Sequence, residues 1–340
     1  QIKLIIVGKE KELTFTDNKG EAVTVNKPIT RIVAMYNEQV DLLRALHAAD
    51  KIVGIPERIR KEEAYYPVIS KLPSIGSVHG PDYEAILSLN PDVLMVYFPG
   101  WIDCEKLPGI TCIFLGHDGL SPEDFTRTVT TFGYIFNKED EAEKYINWNI
   151  GWINEIKSRT SGLSEEEKPR VFRWWWSSKG GYGHGTCNEK DVIAGGKNIA
   201  EELPIRVPGG IIIDPEWVAD QSIDIIVAHA PASICGHGFD DVSEMAAARE
   251  DIMNYAELGN TNAVKKGDVY LIDNRHFMCV KAGYAISVAY LAKWFHPKLF
   301  EDLDPKAIHQ DYITRLQRVD YDLDKHGVFV YHPEKHPEGK

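Results

Sequence analysis

The longest amphipathic period in the chain covers residues 138–159. Ala142, Tyr145, Ile146, Trp152, Ile153 and Ile156 recur there at steps of three and four, which places them on one helical face. Glu139, Asp140, Glu143, Lys144, Asn149, Glu155 and Lys157 fill most of the rest. At 1.5 Å per residue such a helix is roughly 30 Å long, about the diameter of a small domain. On both sides the pattern changes to short apolar runs alternating with short helices. Before it, 13–16 and 22–25 read as strands around the turn Asp17-Asn18-Lys19-Gly20. Strands at 31–35, 51–55, 92–98 and 111–115 follow, with helices near 38–49 and 83–89 and from Ser121-Pro122-Glu123-Asp124. After it come strands at 170–176, 224–230 and 268–272 and helices at 191–202, 244–255 and 284–295. Residues 305–340 read as a helix, a short hairpin and a polar tail containing His326, His332 and His336.

Two stretches repeat one pattern across the long helix. Each has an Asp N-cap (Asp82, Asp214), a Glu two residues on (Glu84, Glu216) and a short helix. Eight residues after the Glu an Asp (Asp92, Asp224) opens a buried strand. Strands alternating with helices predict mostly parallel, covered sheets. The predicted fold class is therefore α/β, with two Rossmann-like lobes joined by a single long α-helix: an N-terminal lobe at 1–137, a linker helix at 138–160 and a C-terminal lobe at 161–340.

Composition narrows the function. With 340 residues and 44% hydrophobic content, each lobe can bury a core. A net charge of −13 with no basic stripe excludes nucleic acid as partner. No apolar run approaches the ~18 residues that span a membrane. The opening Gln1-Ile2-Lys3-Leu4-Ile5-Ile6-Val7-Gly8 is too short for a signal peptide, so either the protein is cytoplasmic or a leader has been removed. The five cysteines form no CxxC. Cys104 and Cys112 flank a Pro-Gly turn and pair if the protein is exported; buried thiols are the alternative.

In parallel sheets ligands bind at the carboxyl ends of strands. Those loops hold Tyr36, Arg58, His79, Tyr97, Trp101 and His117 in the first half. The second offers Trp174-Trp175-Trp176, the glycine-rich 180–187 with Tyr182 and His184, 230–238 with Cys235 and His237, and 274–279 with Arg275 and His276. Strand alternation sends Trp175 into the core and leaves Trp174 or Trp176 to line a cleft. Adjacent aromatics suit a broad, apolar ligand, and Arg58, Arg60, Arg206 and Arg275 are candidates for balancing an anionic one. His184, Cys187, Cys235, His237, His276 and Cys279 come from successive loops and would form a metal site only if they converge, since none shares a metal-motif spacing. His296 and His309 read as structural.

Nearly the whole chain resembles the solute-binding proteins of ABC importers for iron–siderophore, haem and cobalamin. The resemblance is carried by Thr30-Arg31-Ile32-Val33, Ala45–Ile55, Leu72-Pro73-Ser74-Ile75-Gly76-Ser77 and Glu84 with Pro91-Asp92-Val93-Leu94. Ala194-Gly195-Gly196-Lys197-Asn198-Ile199-Ala200, Asn262–Tyr270 and Leu291–Phe300 complete it. It implies an extracytoplasmic binding protein, with its leader absent here, that captures a metal chelate of iron–siderophore type between its lobes. A corrinoid or haem is the alternative cargo. It implies no catalysis and no required cofactor, and as partners the permease and the small-molecule metal complex, with membrane contact only through an anchor or the permease. Tyr36, His79, Tyr97 and Trp101 fall where the family contacts ligand, with Trp174, Trp176, Tyr182, His184, His237 and Arg275 as second-lobe candidates. Glu84 and Glu216 match the carboxylates that dock into permease arginines. A metal chelatase or redox enzyme of the same architecture, or a surface receptor, would not need both glutamates.

Overall fold

The computed structural model describes residues 12–17, 19–96, 100–114, 121–175, 182–183, 188–203, 211–212, 214–274 and 283–340. The chain divides into two compact units, 1–148 with 312–321, and 149–311 with 322–340.

The first unit is built on a parallel sheet in the order Ile52–Gly54, Ile32–Ala34, Val93–Val96, Thr111–Phe114. Its central strands are wholly apolar and buried, as a sheet covered on both faces requires. Val33, Ile75, Ile86, Leu94, Val96 and Phe114 pack into one core. A separate antiparallel hairpin, Glu12–Thr16 with Ala22–Asn26, forms around the expected turn. The helix Pro122–Phe136 begins as its sequence dictates, with the Ser121 hydroxyl accepting from the Asp124 N–H at 3.0 Å. It ends at Asn137 in the left-handed conformation. A Cβ on Gly133 would come within 2.7 Å of the Ala142 Cβ, so this glycine lets the next helix start in close contact.

That next helix, Glu139–Thr160, is continuous for 22 residues and passes from one unit into the other. Ala142, Tyr145, Ile153 and Ile156 are buried as their spacing predicts, while Ile146 and Trp152 are half-buried. Asn149, assigned by its polarity to the solvent side, is instead fully buried. Its Oδ1 accepts from the Ala285 N–H at 3.1 Å. The helix Tyr284–Phe295 starts after Gly283, which has no side chain to offer, and Asn149 supplies the missing acceptor.

The second unit holds a seven-stranded mixed sheet. Its path runs Ile211–Ile212, Tyr182–Gly183, Arg170–Trp175, Ile225–Ala230, Val269–Asp273, Val330–Tyr331, with Lys197–Asn198 pairing beside Arg170. The centre is parallel as expected and the edges are antiparallel. The helix expected at 191–202 is interrupted. Asn188–Ile193 stops at Gly195, where φ is +84°, and a short strand precedes the turn Ile199–Glu202. A side chain on Gly195 would strike the His296 ring at 2.7 Å and one on Gly196 the Phe295 ring at 2.6 Å. The chain thus breaks where it must pass close to aromatic side chains. Beneath it Arg173 and Asp191 form a fully buried ion pair, with Asn198 donating to Asp191 at 3.1 Å.

The C-terminal region differs most from the expected helix, hairpin and tail. Helix Pro305–Asp311 widens into a π-helical turn, Tyr312–Gln317, and residues 312–321 belong to the first unit. There Gln317 accepts from Arg44 Nε at 2.8 Å and donates to the Asp41 carbonyl at 3.0 Å and the Tyr312 hydroxyl at 2.9 Å. The ring of Tyr321 meets Tyr65 edge-on at 5.7 Å. Back in the second unit, His332 stacks on Tyr270 at 4.6 Å, and His336 Nε2 accepts from the Trp294 indole at 2.8 Å. This end of the chain is packed.

Candidate functional site

The first unit gathers three of its four sequence-predicted ligand residues. Tyr36 follows strand Ile32–Ala34 and is the N-cap residue of helix Asn37–Ala45. Gln39 Oε1 accepts from the backbone N–H of both Met35 (2.9 Å) and Tyr36 (3.2 Å), fixing the turn that presents the tyrosine. Arg58 comes from the short helix Glu57–Arg60 after strand Ile52–Gly54, and its Cζ lies 3.8 Å from the Tyr36 ring centroid. Trp101 stacks on Tyr36 at 5.8 Å, and His79, exposed in the turn between Gly76–Ser77 and Gly80–Pro81, meets Trp101 edge-on at 4.3 Å.

Four groups from four connections thus form one cluster, Arg58–Tyr36–Trp101–His79. A guanidinium over an aromatic ring contributes about 0.5–1 kcal/mol at a partly exposed position. Arg58 Nε and Nη2 are covered and have no hydrogen-bond partner among the described residues. Its neighbour Arg60 is occupied, with Nη1 3.3 Å from Glu57 Oε2. An aromatic surface beside a guanidinium with two nitrogens unbonded among the described residues can hold a flat or apolar group bearing negative charge.

The loop carrying Trp101 is stapled. Cys104 and Cys112 are disulfide-bonded with Cα atoms 6.4 Å apart, so the pairing that the Pro-Gly turn left open is made. Ahead of the bridge the Asp103 N–H donates to the Tyr83 hydroxyl at 2.9 Å, tying this loop to the helix Tyr83–Ser88.

The second-unit candidates fare differently. Trp174 lies in the core beside Phe172 and meets Tyr255 edge-on at 5.0 Å. The register explains it: Phe172 and Trp174 pair with Ile226 and Ala228, whose side chains point into the same core. Trp174 is therefore a core residue and does not line a cleft, while the Trp175 side chain lies outside what is described. Cys235 and His237 also turn inward. The Cys235 thiol donates to the Pro231 carbonyl at 3.2 Å, and the buried His237 ring packs on Phe329 at 4.8 Å. Neither is offered to solvent as a metal ligand. Tyr182, expected in a glycine-rich loop, lies in a strand paired on both sides. Tyr97, His117, Trp176, His184, Cys187, Arg206, Arg275, His276 and Cys279 lie outside the described residues. Among the described residues no three His, Cys, Asp or Glu side chains gather as a metal site. His296, taken as structural, bonds through Nε2 to the Gly195 carbonyl at 2.9 Å.

The repeated stretches fold alike. Glu84 and Glu216 are both exposed in the first turn of a short helix, Tyr83–Ser88 or Pro215–Ala219. Asp82 Oδ1 accepts from the Ala85 N–H and Asp214 Oδ1 from the Glu216 N–H, each at 2.9 Å. Beyond each helix an aspartate grips the start of the adjoining strand. Asp92 Oδ2 accepts from the N–H groups of Thr30 (2.7 Å) and Arg31 (2.9 Å), and Asp224 Oδ2 accepts from the Arg170 N–H at 3.0 Å. Partial burial alone would raise the Asp92 carboxyl, but these N–H groups and the Thr30 hydroxyl hold it below the usual carboxylate range. The two arginines then reach back to the helix end in the first unit and to the segment just beyond the helix in the second. Arg31 Nε donates to the Leu89 carbonyl at 3.0 Å and Arg170 Nε to the Ser222 carbonyl at 2.8 Å. Sequence spacing revealed the glutamates and aspartates; the arginine contacts it did not.

Among known proteins, the chain is 25% identical over 274 residues to the iron(3+)-hydroxamate-binding protein FhuD of Bacillus subtilis, covering 76% of this chain and 78% of that protein. A shorter match, 28% identical over 140 residues, is to an uncharacterized lipoprotein of Methanocaldococcus jannaschii and spans 36% of this chain and only 33% of the lipoprotein. The crystal structure of a TroA-like periplasmic binding protein, FepB from Veillonella parvula, superposes with a TM-score of 0.72 at 20% identity, covering 94% and 99% of the two chains. Residues 32–276 match the periplasmic binding protein family model, and the chain belongs to that family.

Proposed function

We propose that the protein is the extracytoplasmic solute-binding component of an ABC importer, carrying a metal chelate of iron–siderophore type and presenting it to the permease. The observation that carries the cargo assignment is the Arg58–Tyr36–Trp101–His79 cluster. A ferric chelate offers apolar or aromatic surface and anionic oxygens, which this combination of rings and the Arg58 guanidinium suits. FhuD, a relative covering three quarters of the chain, is named for binding an iron(3+)–hydroxamate. Glu84 and Glu216 are the permease contacts in this reading: exposed carboxylates on capped helices are placed to meet guanidinium groups bidentately. A disulfide suits an oxidising compartment outside the cytoplasm, and one relative is named as a lipoprotein.

A small oxyanion is the second reading. The molybdate-binding protein MolA of Haemophilus influenzae is 22% identical over 344 residues, 91% of this chain, and the two Arg58 nitrogens unbonded among the described residues would serve an oxyanion too. Native mass spectrometry and an absorption spectrum of protein from its own cells test both. Titrations with ferric hydroxamate, ferric catecholate, haem, cobalamin and molybdate follow, read by tryptophan fluorescence. A ferric chelate retained by the protein and weakened by Arg58→Ala supports the first reading. Tight molybdate binding with no chelate binding would replace it with the second.

A further inference from the structure

Resting on the docking role of Glu84 and Glu216 given above, we propose that Arg31 and Arg170 are matched positioning residues for the permease encounter. Each sets where its unit's docking carboxylate stands relative to its sheet.

The helices bearing these glutamates are six and five residues long. So short a helix has too few internal hydrogen bonds to hold itself, and its orientation comes from whatever grips its ends. The starts are gripped by Asp82 and Asp214. Arg31 grips the far end of the first helix at its C-cap, and Arg170 grips the segment just beyond the second. Arg31 reaches Leu89 through both Nε at 3.0 Å and Nη2 at 2.6 Å, and its Nε also reaches Asn90 at 3.1 Å. Arg170 reaches the Ser222 carbonyl through Nε at 2.8 Å and, through Nη2, Gln221 Oε1 at 3.0 Å. Gln221 in turn donates to the Trp217 carbonyl at 3.3 Å, inside the helix itself.

Both arginines are referenced to the sheet in the same way. Each backbone N–H is held by the aspartate that opens the neighbouring parallel strand, Asp92 or Asp224. The residues one step on are register partners in both units, Ile32 with Val93 and Val171 with Ile225. The second aspartate has a further brace, Asn262 Nδ2 to Asp224 Oδ1 at 3.2 Å. Strand, aspartate, arginine and the chain that closes the glutamate-bearing helix are therefore linked in the same order in both units. Neither arginine lies in the Arg58 cluster. A partner with two fixed cationic pockets requires two carboxylates at a fixed height, and a planar guanidinium bridging several acceptors sets such a height better than a lysine's single flexible charge.

The test uses full-length protein and the ABC permease of the same cell in nanodiscs, with association read by fluorescence anisotropy. Ferric hydroxamate affinity and thermal unfolding are followed on the same samples. Arg31→Lys and Arg170→Lys keep the charge and remove the fork; Arg31→Ala and Arg170→Ala remove both. We expect each single lysine variant to weaken permease association about fivefold, and the pair to weaken it by about the product, since the two sites share no partner. Ferric hydroxamate affinity should stay within about twofold. If Glu84→Ala with Glu216→Ala abolishes association while all four arginine variants associate like the parent, the positioning role is overturned and docking stands. If association and chelate affinity fall together, in step with melting temperature, the arginines serve only the fold and the proposal is likewise overturned. If the glutamate pair can be removed without effect, the docking reading itself fails.

Discussion

Gln317→Ala probes the least expected feature of the fold, the return of residues 312–321 to the first unit. Gln317 is 2% exposed and makes three hydrogen bonds. The bond to the Arg44 guanidinium is charge-assisted, contributing about 1.5–3 kcal/mol, and the two neutral bonds add about 0.5–1.5 kcal/mol each. Arg44 keeps the Tyr65 carbonyl at 2.7 Å and Asp41 Oδ1 at 3.1 Å, so its charge is not left alone. The loss should therefore fall in the lower half of that range, about 3 kcal/mol. A chain of two units has no single unfolding free energy, so hydrogen exchange read peptide by peptide, with a urea titration, is the suitable assay. Protection should fall in 312–321 and in 37–45 together, while 305–311 is spared. A loss under about 0.5 kcal/mol, below that of one ordinary hydrogen bond, would refute the reasoning. So would exchange in 312–321 that follows 305–311 instead of 37–45.

Other consequences follow from single sites. Arg58→Ala should weaken ferric hydroxamate binding by about 1.5–3 kcal/mol, the scale of a hydrogen bond to a charged group, with little change in melting temperature; isothermal titration calorimetry measures it. Cys104→Ser with Cys112→Ser opens a short loop, and the chain-entropy account expects about 2–3 kcal/mol of stability lost, seen in denaturant titration against the disulfide-bonded parent. Burial pushes the His336 imidazole down to about 4, and its neutral Nε2 accepts from Trp294. An unfolded histidine titrates near 6.5, so the unfolded chain binds the extra proton. That contribution is fully present above about pH 6.5 and is lost as pH falls toward 4, on the order of 3 kcal/mol in all. His336→Gln should flatten this part of the stability profile.

The sequence made the periodic elements legible. The stripe Ala142, Tyr145, Ile153, Ile156 predicted the long helix, and the runs at 92–98 and 224–230 predicted buried strands, because burial on one or both faces dictates residue type at each position. It misled where polarity and function diverge. Asn149 looks solvent-facing by composition, yet a neighbouring helix start without a cap draws it inside. Adjacent tryptophans are indistinguishable by sequence; only the pairing of Phe172 with Ile226 and Trp174 with Ala228 puts Trp174 into the core. The break at Gly195 and the attachment of Gln317 to Arg44 depend on residues about a hundred or more positions away, which no local pattern contains. In the candidate site, loop position identified Tyr36, His79 and Trp101. Their stacking, and the choice of Arg58 over Arg60, required three dimensions.

Delivery to a membrane partner through two carboxylates is the central claim, and association of Glu84→Ala/Glu216→Ala with the permease in nanodiscs tests it most directly. The double variant should bind ferric hydroxamate with the parent's affinity and fail to associate with the permease. Association at the parent's affinity would contradict the claim.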